Sequence, residues 1–168
     1  TETDWDPEKI DNVLWKTEVG TGFSGVAVAN GRVYTLGHDG RKSGGKETVY
    51  CLDVKSGKKI WSDTYSAQLL PNLHEGGPAA TPTIHGDHVY TLGKDGKFNC
   101  YLVESGKKIW GRDVLADSGM NRPADWGFAG SPLISAEMVI IEAAHTIAYD
   151  RENGKVIWKS DRFKPAYA

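Results

Sequence analysis

The sequence predicts an all-β fold built from repeated four-stranded antiparallel sheets. Glycine supplies 20 of the 168 residues and tryptophan supplies 6, and this combination indicates many tight turns joined to large aromatic anchors, since glycine is usually ~7% of a chain. Four tryptophans are also spaced almost evenly, at intervals of 46, 49 and 48 residues: Trp15, Trp61, Trp110 and Trp158. A period of this length is typical of repeat folds whose units are small sheets.

An eleven-residue phrase ends at each of the last three of these tryptophans. Its copies are Cys51-Leu-Asp-Val-Lys-Ser-Gly-Lys-Lys-Ile-Trp61, Cys100-Tyr-Leu-Val-Glu-Ser-Gly-Lys-Lys-Ile-Trp110 and Ala148-Tyr-Asp-Arg-Glu-Asn-Gly-Lys-Val-Ile-Trp158. The order of residues predicts a strand, a tight turn and a second strand, because the glycine permits the positive φ that such turns need. Each phrase is therefore interpreted as a hairpin.

A second hairpin precedes each phrase, so each repeat contains four short strands, A to D. The third copy of this upstream hairpin, around Met138–Ile141, keeps the apolar runs but lacks a glycine. The predicted strands are A near 24–29, 80–84 and 129–134, B near 32–37, 88–93 and 138–142, C near 48–53, 97–102 and 146–150, and D near 58–64, 107–113 and 155–160. Four antiparallel strands at this interval predict the blades of a β-propeller. A β-sandwich gives no reason for the phrase to recur three times.

We therefore expect one domain, an arc of a propeller with about three full blades and partial strands. Residues 1–12 would lead in, residues 13–20 would form the last strand of a preceding blade, the blades would cover 21–66, 75–116 and 121–162, and residues 163–168 would begin another blade. An isolated arc exposes apolar sheet faces and strand edges at both of its ends. Either further blades of a longer chain or other copies of this chain are expected to cover them.

Composition argues against several classes of protein. The 20 basic and 22 acidic side chains are interspersed, so no basic stripe is available to neutralise a nucleic-acid backbone. The longest apolar run, around Met138–Ile141, is far below the ~20 residues of a membrane-spanning helix. Residues 1–9 lack the basic start and apolar core of an export signal, and we expect any such signal to have been removed.

The cysteines and histidines show no metal-binding pattern. Cys51 and Cys100 occupy equivalent positions in neighbouring repeats. Two cysteines would satisfy the count for a disulfide, but these positions favour two small buried thiols. No cysteine or histidine has the spacing of a zinc site. Four histidines at turns or strand ends are interpreted as surface residues: His38, His85, His88 and His145.

The repeated phrase resembles the tryptophan-docking motif of quinoprotein alcohol dehydrogenases. The shared pattern is Ala/Cys-x-Asp-x-x-Ser/Asn-Gly-Lys-x-x-Trp, and the second repeat departs from it with Leu102 in place of Asp. The matching positions are Asp53, Gly57, Trp61, Gly106, Trp110, Asp150, Gly154 and Trp158. The resemblance covers about Val13 to Ala168 and implies a ring of about eight blades with a tryptophan between neighbouring blades.

The same resemblance extends to the broad set of proteins with pyrroloquinoline-quinone (PQQ)-like repeats. This set includes true dehydrogenases and binding-only propellers, among them the scaffold lipoprotein of outer-membrane barrel assembly, and it implies a periplasmic or otherwise exported protein. The enzymes need calcium held by carboxylate and amide oxygens, a catalytic aspartate and a pair of adjacent cysteines. Cys51 and Cys100 are not adjacent, and no such set converges by spacing.

We therefore expect a non-catalytic scaffold that binds a protein partner, with no catalytic residue, metal or cofactor in this chain. One alternative is part of a PQQ- and calcium-dependent alcohol or sugar dehydrogenase, in which a complete parent would bind both. Another is a propeller piece that assembles with copies of itself. The fold alone does not choose among them.

The loops from strand D to the next strand A differ between repeats, and variable loops on a rigid scaffold commonly carry function. His74 and Glu75 in the first loop are candidates for a paired histidine and carboxylate that act as a base, or for ligands at the edge of a metal site. The alternative is a solvated hydrogen-bonding pair. Arg122, Asp125 and Trp126 in the second loop are candidates for a ligand pocket, with the arginine for an anion and the tryptophan for stacking. The alternative is an Arg–Asp ion pair that fixes the loop and a tryptophan packed on the next blade.

Overall fold

A computed structural model describes residues 13–71 and 74–164. The predicted lead-in 1–12 and residues 165–168 of the predicted next blade lie outside this part of the chain. The described residues form twelve strands and one short helix. The strands make three four-stranded antiparallel sheets, and strands that are consecutive in the chain are neighbours in each sheet.

The strand bounds follow the predicted A to D pattern. The first sheet contains β1 (Ala27–Ala29), β2 (Arg32–His38), β3 (Lys46–Asp53) and β4 (Lys59–Ser66). The second sheet contains β5 (Thr83–His85), β6 (His88–Leu92), β7 (Lys97–Leu102) and β8 (Lys108–Asp113), followed by the helix α1 (Val114–Ser118). The third sheet contains β9 (Leu133–Ser135), β10 (Met138–Glu142), β11 (Thr146–Asp150) and β12 (Val156–Lys159). The prediction of an all-β fold of four-stranded antiparallel blades is confirmed.

The first strand of each sheet is shorter than predicted. β5 and β9 begin directly after Pro82 and Pro132, and a proline has no N–H to donate to a ladder. The residues before β1 bond the segment before β5 instead: the Ser24 hydroxyl donates to the Ala80 carbonyl oxygen at 2.9 Å. β1, β5 and β9 lie side by side, so these bonds join the sheets along their first strands.

Residues 13–20 carry no strand in the described part of the chain; that they are the last strand of a preceding blade stays a prediction, because the blade with which such a strand would pair is not among the described residues. A strand needs a hydrogen-bonded neighbouring strand. Within the described residues, the nearest such pairing is a single bridge between Thr21, which directly follows this segment, and His38. The helix α1 was not predicted. Asp113 caps it by accepting from the N–H groups of Leu115 and Ala116, and Gly119 ends it in the left-handed conformation.

Apolar clusters hold the sheets together face to face. Between the first and second sheets the buried side chains are Tyr34, Leu36, Val49, Cys51, Val89, Tyr101 and Val103. Between the second and third sheets they include Tyr90, Leu92, Phe98, Trp110, Val139, Ile141 and Tyr149. Full burial of one large aliphatic or aromatic side chain is worth roughly 1.5–3 kcal/mol. Because each sheet packs mainly on its neighbours, stability is close to a sum over adjacent sheets.

His38 is buried, so its interpretation as a surface residue was wrong. It is 1% exposed, its Nδ1 accepts from the Gly40 N–H at 3.0 Å, and its Nε2 lies 3.1 Å from the Ala67 carbonyl oxygen. These two backbone partners satisfy both ring nitrogens, which is the usual condition for burying a polar side chain. His85 is exposed as predicted, and His88 and His145 are partly buried.

The two cysteines are the expected free, buried thiols. Cys51 and Cys100 are both fully inaccessible, and burial raises the pKa of Cys51 and raises that of Cys100 to about 12. Because the thiolate is the reactive form, we expect neither cysteine to react with iodoacetamide in the native protein near pH 8. Both should react in denaturant, and mass spectrometry counts the adducts. Rapid native labelling of either thiol would contradict this prediction.

Candidate functional site

The same contact between an indole and a hairpin occurs three times. Trp61 of the first sheet donates its indole N–H to the Val103 carbonyl oxygen of the second at 2.9 Å. Trp110 of the second sheet donates to the Arg151 carbonyl oxygen of the third at 3.0 Å. Each ring is thereby packed between two sheets with its single polar atom satisfied. These two indoles join successive sheets in the same way.

Trp15 makes the equivalent contact on the first sheet although it lies in no strand. Its indole N–H donates to the Val54 carbonyl oxygen at 2.9 Å, and the Thr17 hydroxyl donates to the Gly57 carbonyl oxygen at 2.8 Å. Residues 13–20 therefore cover part of the face that the first sheet turns away from the second.

A glycine in each hairpin gives the indole its space. Gly57, Gly106 and Gly154 have φ values of 66°, 69° and 70°, a region that glycine enters without the strain of a side chain. A Cβ built on these glycines would lie 2.4, 2.5 and 2.7 Å from the nearest ring atoms of the docked tryptophans. The glycine therefore serves both the turn and the contact.

The aspartate of the phrase stabilises the hairpin turn by accepting hydrogen bonds from backbone N–H groups of that turn. The Asp53 carboxylate accepts from two backbone N–H groups of its own turn at 3.1 and 2.8 Å, and Asp150 does the same at 2.9 and 3.0 Å, as in Asx turns. The second sheet has Leu102 at this position, yet the Gly106 N–H still donates to the Leu102 carbonyl oxygen at 2.9 Å. The aspartate thus supports the turn, and the backbone bond forms without it.

The two ends of the array expose apolar side chains. Trp158 of the third sheet is 41% exposed, and its indole has no hydrogen-bond partner within residues 13–71 and 74–164. An open groove of about 460 Å³ lies on the same sheet, and Leu133 and Ile140 are among its lining residues. At the opposite end, Val26 and Val28 are 63% and 60% exposed. Surfaces of this kind are typical of protein contact sites.

His74 and Glu75 do not act as a pair in this structure. The Nδ1 of His74 accepts from the Gly76 N–H at 3.0 Å, its Nε2 lies 3.2 Å from the Lys94 Nζ, and its ring meets the Phe23 ring edge-on at a centroid distance of 4.7 Å. Glu75 is exposed and lines an open cavity of about 330 Å³ together with Phe23. The structure therefore places only His74 in a polar network.

Arg122, Asp125 and Trp126 share one loop, and the first two pair with each other. The guanidinium of Arg122 lies 2.8 Å from the Asp125 carboxylate, and both side chains are exposed. Arg122 also lines an open cavity of about 370 Å³ together with Arg162. Trp126 is partly buried. This geometry matches the loop-fixing ion pair, and Arg122 is the one of the three that reaches the cavity.

A buried polar cluster between the first two sheets was missed by sequence reasoning. Glu47 and Lys94 are both 0% exposed. The Tyr65 hydroxyl donates to Glu47 Oε1 at 2.5 Å, and the Lys94 backbone N–H donates to Glu47 Oε2 at 3.3 Å. A signal was present, because a polar residue follows Leu-Gly in both the first and the second repeats, at His38 and at Lys94.

Burial shifts the pKa values within this cluster. It raises the pKa of Glu47 to about 7, and the hydrogen bonds from Tyr65 and Lys94 only partly oppose that rise. Burial also lowers the pKa of Lys94, against the attraction of Glu47. Both shifts favour the uncharged forms, as expected where water is excluded.

We expect Glu47 to make the free energy of unfolding decrease as the pH rises. Its folded-state pKa of about 7 exceeds the ordinary value near ~4.3, so the folded protein holds a proton that the unfolded chain releases. The stabilisation is complete below about pH 4 and is lost as the pH rises through about 7. The shift corresponds to about 3–4 kcal/mol.

Urea unfolding of wild type and Glu47→Gln between about pH 4 and about pH 8 measures this contribution. The amide keeps the shape of the side chain and does not titrate, so the difference in stability between the two proteins should change by that amount across the range. An identical pH profile for both proteins would contradict the assignment.

The described residues hold no metal site and no membrane helix. Within them, no group of three or more His, Cys, Asp or Glu side chains is placed to hold a metal ion. Calcium takes six to eight oxygen ligands, and no group of three or more acidic side chains in this part of the chain would begin such a set. No helix in the same residues is long and apolar enough to cross a membrane.

A family model covers most of the chain. The model described as outer membrane protein assembly factor BamB matches residues 8–78 and 76–160. Among curated proteins, the quinohemoprotein alcohol dehydrogenase ADH-IIG of Pseudomonas putida is 25% identical over 146 residues, which are 79% of this chain and 18% of that protein. The chain thus spans less than a fifth of the length of this relative.

Solved structures show the same fold. The Pseudomonas putida enzyme ADHIIG superposes with a TM-score of 0.63 at 23% identity, covering 87% of this chain and 21% of its own. A europium-containing methanol dehydrogenase gives 0.66 at 16% identity, covering 86% and 26%. BamB from Moraxella catarrhalis gives 0.58 at 16% identity, covering 88% and 41%. Together with the family match and the three four-stranded sheets, these likenesses show that the chain belongs to the family of β-propeller proteins with PQQ-like repeats.

Proposed function

We propose that this chain is a non-catalytic part of a propeller scaffold, with blades over 21–66, 75–116 and 121–162, which presents its loops to a protein partner. One observation carries the proposal: the indole contact joins each sheet to the next, and the last indole, Trp158, is left exposed. The tryptophan, glycine and aspartate positions of the phrase then act as a docking motif between blades. The match to the BamB family model supports a scaffold role.

The exposed face of the third sheet, which carries Trp158, is covered in the first place by further propeller structure. A following blade would offer Trp158 a hairpin glycine and a carbonyl oxygen, as the second and third sheets do for Trp61 and Trp110. The blades of a longer parent chain are favoured over copies of this chain, because the chain covers only 18% of its curated relative. The relatives further support export to the periplasm.

Sedimentation of the 168-residue chain distinguishes the two sources of the missing blades. A monomer at micromolar concentration is expected if the parent chain supplies them. Assembly into larger species that Trp158→Lys abolishes would instead show that copies of this chain complete the ring. Assembly that is unchanged in Trp158→Lys would contradict the role given to this sheet face.

Partner binding is tested with the full-length parent as bait in a periplasmic extract. We expect retention of a protein partner that weakens when both exposed loop residues Glu75 and Arg122 are replaced by alanine. Lys107→Ala, on the hairpin of the second sheet, is the matched control and should leave retention unchanged. Repeated failure of the parent to retain any partner would overturn the scaffold proposal.

The alternative function is part of a PQQ- and calcium-dependent dehydrogenase, and the 25% identity to a quinohemoprotein alcohol dehydrogenase favours it. The full-length parent is the correct material for this test. Titration with PQQ and calcium would then change the absorption spectrum and produce dye-linked alcohol oxidation. Absence of both effects in the parent would remove this alternative.

A further inference from the structure

One pair of cross-strand neighbours in the third sheet is polar, although the equivalent pairs of the other two sheets are apolar. The equivalent pairs are Leu36–Val49 in the first sheet, Leu92–Phe98 in the second and Glu142–Thr146 in the third. The four apolar side chains are at most 2% exposed and lie in the clusters that join each sheet to the next. The third sheet therefore places a carboxylate and a hydroxyl where the other sheets place apolar contacts with the following sheet.

The strand register establishes that these pairs are equivalent. In each sheet, one residue of the third strand pairs with the tryptophan that ends the repeated phrase. These residues are Cys51, Cys100 and Ala148. Val49, Phe98 and Thr146 each lie two residues before them, and side chains two residues apart in a strand point to the same face of the sheet. Glu142 and Thr146 therefore belong to the face that carries Trp158.

Glu142 has no hydrogen-bond or ion-pair partner within residues 13–71 and 74–164. It is partly buried and lines the open groove of about 460 Å³ together with Ile140. The face is thus apolar near the hairpin, at Ile140 and Trp158, and carries a carboxylate at its other end. A carboxylate that another sheet covers loses its hydration, and a donor or a cation must replace the lost water.

The two described contacts between sheets show how such a carboxylate is accommodated. Asp63 of the first sheet accepts from the Tyr101 hydroxyl of the second sheet at 2.8 Å and lies 2.8 Å from the Lys108 Nζ of that sheet. Asp117, which follows the second sheet, accepts from the Tyr149 hydroxyl of the third sheet at 3.2 Å. In both contacts the earlier unit supplies the carboxylate and the later unit supplies a donor.

We propose that the sheet that follows Trp158 in the parent chain presents a lysine or arginine side chain to Glu142. The contact would then combine tryptophan docking at one end of the face with an ion pair at the other. This inference rests on the proposed function, in which further propeller structure covers the face, and adds the chemistry of the covering sheet. A sheet that offers only apolar side chains at this position leaves a buried carboxylate unpaired, so the charge selects which sheet can follow the third.

The first sheet of a second copy does not offer such a cation. Residues 13–20 already cover part of the face that it would have to use, since Trp15 donates its indole N–H to the Val54 carbonyl oxygen at 2.9 Å. On the same face, β2 carries Val33 and Thr35, which are uncharged and are the alternate residues to those that face the second sheet. The parent chain is therefore the better source of the covering sheet.

The pKa of the Glu142 carboxyl group in the full-length parent tests the proposal. A facing lysine or arginine stabilises the charged form, so we expect a pKa below the ordinary value near ~4.3. The ¹³C chemical shift of the carboxyl carbon, followed as the pH changes, measures it in the wild-type protein. A pKa at or above the ordinary value would overturn the proposal, because burial without a cation raises the pKa of a carboxyl group.

Hydrogen exchange of the Trp158 indole N–H in the same parent separates this proposal from the proposed function. A covering hairpin that accepts the indole hydrogen bond should protect this N–H from exchange. A protected indole combined with a pKa at or above ~4.3 would retain the covering sheet and remove only the basic side chain. An unprotected indole would show that no sheet docks on this face, and both proposals would be wrong.

Glu142→Leu gives an independent test, because leucine stands at the equivalent positions 36 and 92. In the parent, the substitution should raise the equilibrium constant for unfolding about tenfold or more, since a covered cation loses its partner. In the 168-residue chain, whose described residues leave this face open, the change should be less than about threefold. An unchanged or smaller unfolding constant in the parent, or the same change in both proteins, would overturn the proposal.

Discussion

Replacing Trp110 with alanine should lower the free energy of unfolding by about 4 kcal/mol. The side chain is 8% exposed, and its ring packs against Phe98 and Tyr90 at centroid distances of 5.1 and 5.9 Å. The substitution leaves a cavity between the second and third sheets and removes the bond to the Arg151 carbonyl oxygen. Urea denaturation followed by circular dichroism measures the loss.

Trp158→Ala is the matched control for this experiment. The residue ends the same repeated phrase, but it is 41% exposed and has no indole partner within the described residues. In the 168-residue chain its replacement should therefore change stability by less than ~1 kcal/mol. Equal losses for the two variants would contradict the view that the neighbouring hairpin makes the tryptophan stabilising.

Gly106→Ala should lower the free energy of unfolding by about 3 kcal/mol. A φ of 69° imposes a backbone penalty of about 1–2 kcal/mol on alanine. The new Cβ would also lie 2.5 Å from the Trp61 ring, and displacing a packed indole adds about 1–3 kcal/mol. Thermal and urea unfolding should both detect the change.

Gly86→Ala in the same sheet isolates the backbone part of that effect. Its φ is 59°, and a Cβ there would meet nothing within 4 Å. The expected loss is only about 1–2 kcal/mol. If Gly86→Ala were as destabilising as Gly106→Ala, the close contact with Trp61 would contribute nothing and the double role of the glycine would be wrong.

Strand positions could be predicted because each repeat encodes them locally. The Ser-Gly and Asn-Gly turns and the alternating apolar residues locate β3 and β4, β7 and β8, and β11 and β12 without knowledge of the other sheets. The segment 13–20 shows the limit of such local signals. Its residues resemble the tail of the phrase, but a strand exists only where a neighbour pairs with it, and Trp15 meets the turn of a hairpin instead.

The candidate site was harder to predict because its contacts join residues from different sheets. The pairing of Arg122 with Asp125 is local, and one of the alternatives described it. The contact of His74 with Lys94 spans two repeats, and the polar positions 47 and 94 resemble ordinary exposed residues in the sequence. Their burial depends on how two sheets pack together, which the periodicity of a single strand does not report.

The acceptors of the three indole bonds are main-chain carbonyls, supplied by Val54, Val103 and Arg151. Small apolar residues and long cationic residues have the same main-chain carbonyl. The contact between sheets therefore does not depend on which residue accepts the indole hydrogen bond. The sequence at the accepting positions can therefore diverge while the four-stranded repeats remain interchangeable. The contact also has a direction, since each indole comes earlier in the chain than the sheet whose glycine it contacts, and a unit copied into this array would fit only in one orientation.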